Sequence, residues 1–373
     1  MTTTLPTGKL RSSAAPCTAN VTAETLALFK RLCDLSGAQE FMIGGYDRFD
    51  VSGLAPNGYD AEADFFNMTG RYPAMMRYEW QHPNSYANNV PAAAGSAAYV
   101  TMRAAIVAHH ERGGYINLDD FCGNPTTAGG LRATFSDNSY GTRSGSPCAA
   151  VLPGGANDAD FVAYAAELAT FFNGLLDSHG RKIPVIFRPL HEANLPGFWW
   201  AGVDRQSDYK LVWQRLVTLL KAAGVTNVLY CWNLMSGETG SGQANADSAY
   251  SGWWPGDDYV DVVSLDFYSD GAYSATTSYS MLGAANRANW KAVETIAAPS
   301  GKPLALAEVG YQYASNEGPD TWERAGEEIR TAFRVASFVN VWRPTWGPRS
   351  GSVGAASFSR MCARPYCLTL DKI

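Results

Sequence analysis

The chain has 373 residues, of which 46% are hydrophobic and 17% are charged, and its formal net charge at pH 7 is −6. This composition is typical of a globular protein with a large core. The negative net charge gives no sign of the positively charged surface that binds nucleic acid. No run of about 18 consecutive apolar residues occurs, so we expect no membrane-spanning helix and no membrane partner. Aromatic residues make up 12% of the chain. Most of them are expected to pack in the core, and the others would suit a neutral ligand with apolar faces.

The first twenty residues lack the apolar stretch of a signal peptide, so the chain is either cytoplasmic or a mature form behind an added Met1. Seven cysteines favour an oxidising compartment, and six of them can be paired by position. These pairs are Cys17 with Cys33, Cys122 with Cys148, and Cys362 with Cys367. The seventh, Cys231, lies in an apolar run and is expected to be a buried thiol. We predict a secreted or periplasmic protein, with a cytoplasmic location as the alternative.

Strand and helix patterns alternate along the chain. Short apolar runs predict eight strands, at residues 41–44, 74–78, 115–118, 185–188, 228–231, 262–265, 304–307 and 338–341. Amphipathic runs predict six helices, at residues 22–35, 97–112, 158–177, 206–223, 286–296 and 321–336. The helix signal is weakest between the first and second strands and between the fifth and sixth, where Gly, Ser and Asn are frequent.

This alternation favours a (β/α)8 TIM barrel with long βα loops over an open, doubly wound sheet. No GxGxxG sequence follows the first strand, so the main signal for a dinucleotide site is missing. No linker, internal repeat or low-complexity segment interrupts the chain. We therefore predict one catalytic domain over residues 1–373, and we expect a monomer.

Two predicted strands are followed by, or end in, a glutamate. Residues 187–194 are FRPLHEAN and residues 303–310 are PLALAEVG, which places Glu192 after the fourth strand and Glu308 at the end of the seventh. Both side chains would then face one active site at the carboxyl ends of the barrel strands. Two carboxyl groups roughly 5 Å apart can flank a glycosidic bond, one as acid and one as nucleophile. An ordinary ion pair with an arginine such as Arg188 is the alternative for either residue.

Several motifs occur in a characteristic order and spacing. They are RPLHE at 188–192, FWW at 198–200, LDFY at 265–268, KPLALAEVG at 302–310, GRYPA at 70–74 and the glycine pair at 113–114. Together they resemble glycoside hydrolase family 26. The family is known mainly for endo-β-1,4-mannanases and has a (β/α)8 barrel that retains the anomeric configuration. The resemblance implies Glu192 as acid/base, Glu308 as nucleophile, and a polysaccharide or oligosaccharide as substrate.

The resemblance also implies substrate-binding residues around the two glutamates. His191 matches a histidine that holds the nucleophile and sugar hydroxyls, and Tyr268 matches a tyrosine that hydrogen-bonds the nucleophile. Trp342 matches the tryptophan floor under the reacting sugar. For His191 and Tyr268 simple packing is the alternative. The remaining candidates near the strand ends are Trp346, Phe198, Trp200 and Asn233, of which Asn233 could equally be a turn-forming residue.

One departure from the family pattern concerns the loop after the third strand. Many family mannanases have a Trp-His pair there, and this chain has Asp120 and Phe121 instead. Asp119 and Asp120 could hydrogen-bond sugar hydroxyls or bind an ion. The alternative is that both are solvated residues of a loop. Because a site built for one hydroxyl discriminates strongly, the loss of this histidine is expected to alter the accepted sugar.

Mannan is the leading substrate. The alternatives are another β-glycan, such as mixed-linkage glucan, xylan or a microbial polysaccharide, and a carbohydrate-binding barrel without catalysis. Neither the cysteines nor the five histidines have the spacing of a zinc site, and we expect no cofactor and no catalytic metal.

Overall fold

The strands of the computed structural model form a closed parallel barrel. The structure describes residues 14–46, 60–80, 97–132, 146–195, 197–202, 205–236, 250–269, 284–311, 317–342 and 347–373. The barrel strands are β1 Phe41–Tyr46, β2 Met75–Trp80, β3 Tyr115–Asp120, β4 Val185–Arg188, β5 Val228–Met235, β6 Val262–Ser269, β7 Leu304–Tyr311 and β8 Ala336–Val341. Strands β2 to β8 pair in chain order, and β1 pairs with both β2 and β8, which closes the barrel. The eight predicted strands and the (β/α)8 fold are confirmed.

Within these ranges the structure has nine α-helices. They are α1 Ala23–Ala38, α2 Ala61–Thr69, α3 Ala97–Glu111, α4 Pro147–Ala150, α5 Asp158–Gly174, α6 Gln206–Ala222, α7 Ala284–Ala297, α8 Thr321–Ala332 and α9 Ala355–Ala363. The six predicted helices are confirmed, with ends shifted by a few residues. Helices α2, α4 and α9 were not predicted. Between β5 and β6, the described residues form only two single-turn 3-10 helices, Ser251–Trp253 and Asp257–Tyr259.

Helix α2 has clear local signals at both ends although it has only nine residues. The Asp60 carboxylate accepts the Ala63 N–H at 2.9 Å and caps the first turn. Gly70, at φ 69°, ends the helix in the left-handed conformation that glycine adopts without strain. A short, well-capped helix therefore forms between the first and second strands, where the sequence pattern for a helix is weak.

Helix α1 closes the N-terminal end of the barrel. Leu28, Phe29, Leu32 and Leu35 form one buried cluster with inward-facing side chains from most of the barrel strands. Burying each of these side chains contributes about 2 kcal/mol. A larger apolar cluster lies between the barrel and the outer helices and includes the outward-facing residues of the strands. The two clusters leave the carboxyl ends of the strands for polar side chains.

Above the apolar layer, the barrel interior is polar. Asn340 on β8 donates Nδ2–H to Asn117 Oδ1 on β3 at 2.8 Å. A Cβ atom at Gly44 would lie 1.8 Å from Asn340 Oδ1, so β1 needs glycine at this level. The next layer, toward the carboxyl ends of the strands, is made of buried charged residues.

The C-terminal segment adds a short ninth strand that the sequence pattern did not predict. Strand β9, Cys367–Leu368, pairs in parallel with Phe41 and Met42 of β1, beside the barrel. No helix in the described ranges is long and apolar enough to cross a lipid bilayer. The single domain over residues 1–373 stays a prediction.

The predicted disulfides are not present. All seven cysteines lie in described segments, and none forms a disulfide. Cys17 faces Asp261, with Sγ 3.4 Å from Oδ2, and Cys148 faces the Trp199 carbonyl at 3.8 Å. Burial and the adjacent Cys367 thiol raise the pKa of the Cys362 thiol, so this predicted pair lies side by side as thiols. Cys231 is buried in the barrel, as predicted.

Candidate active site

The chain turns sharply after β4 and brings Glu192 to the top of the barrel. Leu190 and Glu192 have left-handed backbones, with φ 45° and 49°, a conformation that costs a residue other than glycine about 1 kcal/mol or more. Asn233 on β5 stabilises the turn, because its Oδ1 accepts the Glu192 N–H at 2.9 Å. The Asn194 side chain makes two bonds to the Met235 backbone, both 2.7 Å. Strand β5 therefore fixes the strained turn that carries Glu192.

Glu308 lies inside β7 at an irregularity in the pairing with β6. Leu265 pairs with Leu306, but the next residue, Asp266, pairs with Glu308, so Ala307 is an extra residue in a β-bulge. Ala307 faces the barrel interior. Regular alternation would then turn Glu308 outward, and the bulge instead turns it inward beside Asp266.

Three donors converge on the Glu308 carboxylate. Arg77 Nη2 lies 2.7 Å from Oε1, and Arg188 Nη2 donates to the same oxygen. The Tyr268 hydroxyl donates to Oε2. This is the contact with the nucleophile that the resemblance implied for Tyr268. Glu308 is thereby oriented by charge-assisted bonds in a buried position.

The two arginines belong to a larger buried ion network. Arg188 donates to Asp119 at 2.8 and 2.6 Å and to Asp266 at 2.6 Å, and Arg77 also donates to Asp119. Burial acts to raise the pKa of Asp119, but Arg188 and Arg77 outweigh it and hold that pKa at about 2. Asp119 therefore serves as the counter-ion that orients both guanidinium groups, and it is not exposed to bind sugar or an ion.

Glu192 and Asp266 behave differently from Asp119. Burial and the neighbouring charges of Asp266 and Glu308 raise the pKa of Glu192 well above its usual range. Burial also raises the pKa of Asp266 to about 7, although Arg188 opposes that shift. Asp266 was not among the predicted site residues. Its position two residues before Tyr268, on the same face of β6, was the available signal.

The same carboxylates could in principle hold a cation. Oxygen atoms of Glu192, Asp266 and Glu308 all lie within 4.8 Å of one another. Arg188 already donates to Asp266 and Glu308, so a guanidinium supplies the positive charge at this place. The expectation of no metal and no cofactor stays a prediction.

An aromatic wall stands on one side of Glu192. The His191 ring contacts Phe121 at 4.4 Å and Phe198 at 5.0 Å between centroids, and Phe198 stacks on Trp200 at 4.6 Å. Trp200 Nε1 donates to the His191 carbonyl at 2.8 Å. Burial in this wall lowers the pKa of His191 well below its usual range, so the ring is neutral. His191 Nδ1 is buried and has no hydrogen-bond partner within the described part of the chain. The described side-chain partners of Glu308 are Arg77, Arg188 and Tyr268, and the contact with His191 that the resemblance implied is not among them.

Trp342 lies on the opposite side, directly after β8. Its ring is half-buried, the Arg77 guanidinium lies 4.4 Å from its centroid, and Tyr268 meets it edge-on at 6.3 Å. The exposed part of the indole is available as a surface for a sugar ring, as expected for a floor residue. Trp346 and the nearby Arg343 lie outside the described residues.

Two predicted ligand-binding residues have other roles in the structure. Asn233 is fully buried, and its Nδ2 donates to Asp266 Oδ1 at 2.8 Å and to Ser264 at 3.0 Å. The Asp120 carboxylate points outward from the barrel and accepts the Tyr164 hydroxyl at 2.6 Å. Direct sugar contacts by Asn233 and Asp120 do not fit these placements.

The arrangement gives the two carboxyl groups different surroundings. Burial and like charges raise the pKa of Glu192, whereas the Glu308 carboxylate accepts bonds from Arg188 and Tyr268. Such a pair can give a proton from one side and attack from the other. The chemistry available at this site is therefore acid and nucleophilic catalysis on a substrate lying between the two groups.

Comparisons with known proteins agree with this geometry. A mannan endo-1,4-beta-mannosidase from Bifidobacterium adolescentis is 30% identical over 303 residues, which is 78% of this chain and 27% of the relative. Endoglucanase H of Acetivibrio thermocellus is 29% identical over 173 residues, 45% of this chain and 18% of that protein. The chain thus spans about a quarter or less of these two relatives.

Among solved structures, an endo-beta-1,4-mannanase from Cellulomonas fimi superimposes with a TM-score of 0.77 at 24% identity. The match covers 97% of this chain and 78% of that one and supports the barrel fold. The family model for glycosyl hydrolase family 26 matches residues 17–337. The chain belongs to glycosyl hydrolase family 26.

Proposed function

We propose that this protein is a retaining glycoside hydrolase that cleaves β-linked polysaccharide within the chain, with β-1,4-mannan as the leading substrate. The observation that carries the proposal is the pairing of a protonated Glu192 with Glu308, which is held by two arginines and Tyr268. Oxygen atoms of the two carboxyl groups lie within 4.8 Å. This separation is suited to direct attack on the anomeric carbon and leaves no room for the water that an inverting enzyme places between them.

In the first half of the reaction, Glu192 gives its proton to the glycosidic oxygen while Glu308 attacks the anomeric carbon. The bond to the leaving sugar breaks, and an ester forms between the remaining sugar and Glu308. Tyr268 and Arg188 orient the Glu308 carboxylate for this attack. Trp342 offers the ring surface on which the reacting sugar would rest.

In the second half, Glu192 acts as the base. The ester removes the negative charge of Glu308, which is one cause of the raised pKa of Glu192. Its pKa therefore falls once the ester forms, and Glu192 can take a proton from the incoming water. Water attacks the anomeric carbon from the side that the leaving sugar vacated, so the β configuration is restored.

The substrate class rests on the relatives and on the aromatic wall. The first relative described above is named as a mannan endo-1,4-beta-mannosidase, and another as an endoglucanase. Phe121 contributes a ring without hydrogen-bonding groups where the resemblance implies histidine. Another β-glycan, such as mixed-linkage glucan, therefore remains the alternative substrate, and secretion stays a prediction.

The deciding experiment uses purified protein on mannan, glucomannan, mixed-linkage glucan and xylan. We expect the greatest kcat/KM on mannan, with a spread of oligosaccharide products. Glu308→Ala should abolish turnover, and azide with an activated glycoside should restore part of it and give an α-glycosyl azide. The proposal is wrong if Glu308→Ala turns over substrate at the parent rate.

A further inference from the structure

The exchange of Trp-His for Asp120 and Phe121 changes how the site wall is anchored. Asp120 is the last residue of β3, and its side chain is fully buried. The Tyr164 hydroxyl, from α5, donates to its Oδ1 at 2.6 Å in the layer between barrel and helices. Phe121 follows directly and packs on His191 on the cleft side. Adjacent residues thus face opposite sides of the wall.

The alternation of a strand accounts for this arrangement. Successive side chains of a β-strand point to opposite faces, so an outward Asp120 at the end of β3 leaves Phe121 on the cleft side. Tryptophan, which the family pattern has at position 120, has no acceptor for the Tyr164 hydroxyl. The bond from Tyr164 therefore depends on the acidic side chain of this chain.

The backbone of Asp120 also lies beside the ring of His191, the residue before Glu192, and acts to raise the pKa of that ring. Phe121 covers the same imidazole edge-on at 4.4 Å, and Phe198 contacts it from another side at 5.0 Å. The positions of both wall residues therefore depend on where Asp120 is held.

We propose that Asp120, anchored by Tyr164, is a positioning residue that sets the Phe121 and His191 wall against the reacting sugar. The inference rests on the proposed function, because the wall matters to catalysis only if sugar binds beside Glu192. It differs from the earlier expectation for Asp120, since the carboxylate acts through its neighbours and never touches the substrate.

The test compares four variants of the full chain. Tyr164→Phe removes only the anchoring hydroxyl, and Asp120→Ala removes the carboxylate that accepts it. Asp120→Asn keeps an acceptor oxygen for Tyr164. Tyr230→Phe is the matched control, because Tyr230 is also a buried tyrosine and its hydroxyl has no hydrogen-bond partner within the described part of the chain.

We expect Tyr164→Phe and Asp120→Ala to lower kcat by about tenfold or more with a smaller change in KM, because a displaced wall misaligns the sugar with Glu308. Asp120→Asn should stay within about threefold of the parent, since its amide oxygen can still accept the Tyr164 hydroxyl. Tyr230→Phe should match the parent. Each value is taken per folded molecule, with the folded fraction measured by circular dichroism at the assay temperature.

Two results would overturn the positioning role in an active parent. In the first, Tyr164→Phe and Asp120→Ala have the same kcat and KM as the control Tyr230→Phe. In the second, kcat falls as far in Asp120→Asn as in Asp120→Ala. A parent that cleaves no β-glycan would instead overturn the proposed function, and the inference with it. The two failures are therefore distinguishable.

Discussion

Glu192 and Asp266 lie side by side in the buried top layer of the barrel, with carboxyl oxygens within 4.8 Å of each other, and both have raised pKa values. The Asp266 charge is the largest cause, after burial, of the raised pKa of Glu192. Two carboxyl groups at this distance titrate as a pair, so a change in one alters the proton affinity of the other. The proton affinity of Glu192, the proposed acid, is therefore set in part from β6, the strand that also carries Tyr268.

The variant Asp266→Asn should move the alkaline limb of the pH–kcat/KM profile to lower pH. Glu192 must be protonated to act as acid, so activity is lost as the pH rises through its pKa. Removing the like charge of Asp266 lowers that pKa, and the loss begins earlier. The measurement is kcat/KM on soluble mannan between pH 4 and 10.

Asp261→Asn is the control for the loss of a buried carboxylate, because Asp261 is fully buried but bonds to Cys17 and the Tyr230 backbone, away from Glu192. Its alkaline limb should coincide with that of the parent. If the alkaline limb of Asp266→Asn stays at the parent's pH or moves to higher pH, the coupling between the two carboxyl groups is contradicted.

The variant Glu192→Ala should separate the two halves of the reaction. On mannan, where the leaving group needs a proton, kcat should fall by about 1000-fold. On an oligosaccharide with a dinitrophenyl leaving group, the first step needs no acid, so the ester should form in a rapid burst and then hydrolyse slowly. Stopped-flow measurement of dinitrophenol release shows both phases.

Added azide should speed the slow phase of Glu192→Ala and yield a β-glycosyl azide, because the azide attacks the ester from the open side. An α-glycosyl azide would instead mean that azide replaces Glu192 as the nucleophile. The roles proposed for Glu192 and Glu308 would then have to be exchanged. Equal losses on mannan and on the activated substrate would show that Glu192 is not the acid.

The placement of the proposed catalytic pair could be predicted from the sequence. Glu192 and Glu308 follow or end apolar runs that are typical of buried strands in an alternating chain, and barrel topology brings such strand ends together. Tyr268 could be placed for the same reason. Asp266 escaped notice because its approach to Glu308 depends on the bulge at Ala307, and pairing register cannot be read from one strand alone.

Other features depend on contacts between distant parts of the chain. Asp120 was expected in the cleft, but its carboxylate points outward from the barrel and accepts the hydroxyl of Tyr164, a residue from a separate helix. Asn233 was expected to bind sugar, but the turn at Glu192 and the carboxylate of Asp266 occupy its amide. Polar residue type and strand-end position cannot show which partner a side chain will meet.

The variant Asp120→Asn should become more stable relative to the parent as the pH rises. Burial raises the pKa of Asp120 to about 7 from a usual value near 3.8. The folded state therefore holds a proton that the unfolded chain has lost over the window from about pH 4 to 7, so ionisation of Asp120 lowers stability as the pH rises through it. Asparagine is neutral throughout and carries no such cost.

Urea unfolding of parent and Asp120→Asn at pH 5 and pH 8 measures this effect. The difference in unfolding free energy should grow by up to about 1.4 kcal/mol for each pKa unit of the shift, and further change above pH 8 should be small. Tyr164→Phe is a useful comparison, since it removes a donor to Asp120 and should raise the pKa of Asp120 further. The stability of this variant should therefore fall more between pH 5 and pH 8 than that of the parent. A difference that is the same at both pH values would contradict a raised pKa in the folded state.

The variant Phe121→His should raise the preference for mannan over mixed-linkage glucan. It restores a hydrogen-bonding ring at a position where Phe121 now presents only carbon to the cleft beside His191. A polar group that reads one hydroxyl discriminates between sugars more strongly than an apolar surface does. We expect the ratio of the two kcat/KM values to change by about tenfold. Phe121→Leu, which removes the ring without adding a polar group, should leave that ratio near the parent value. The same ratio in Phe121→His and Phe121→Leu would show that the sugar is chosen elsewhere in the cleft.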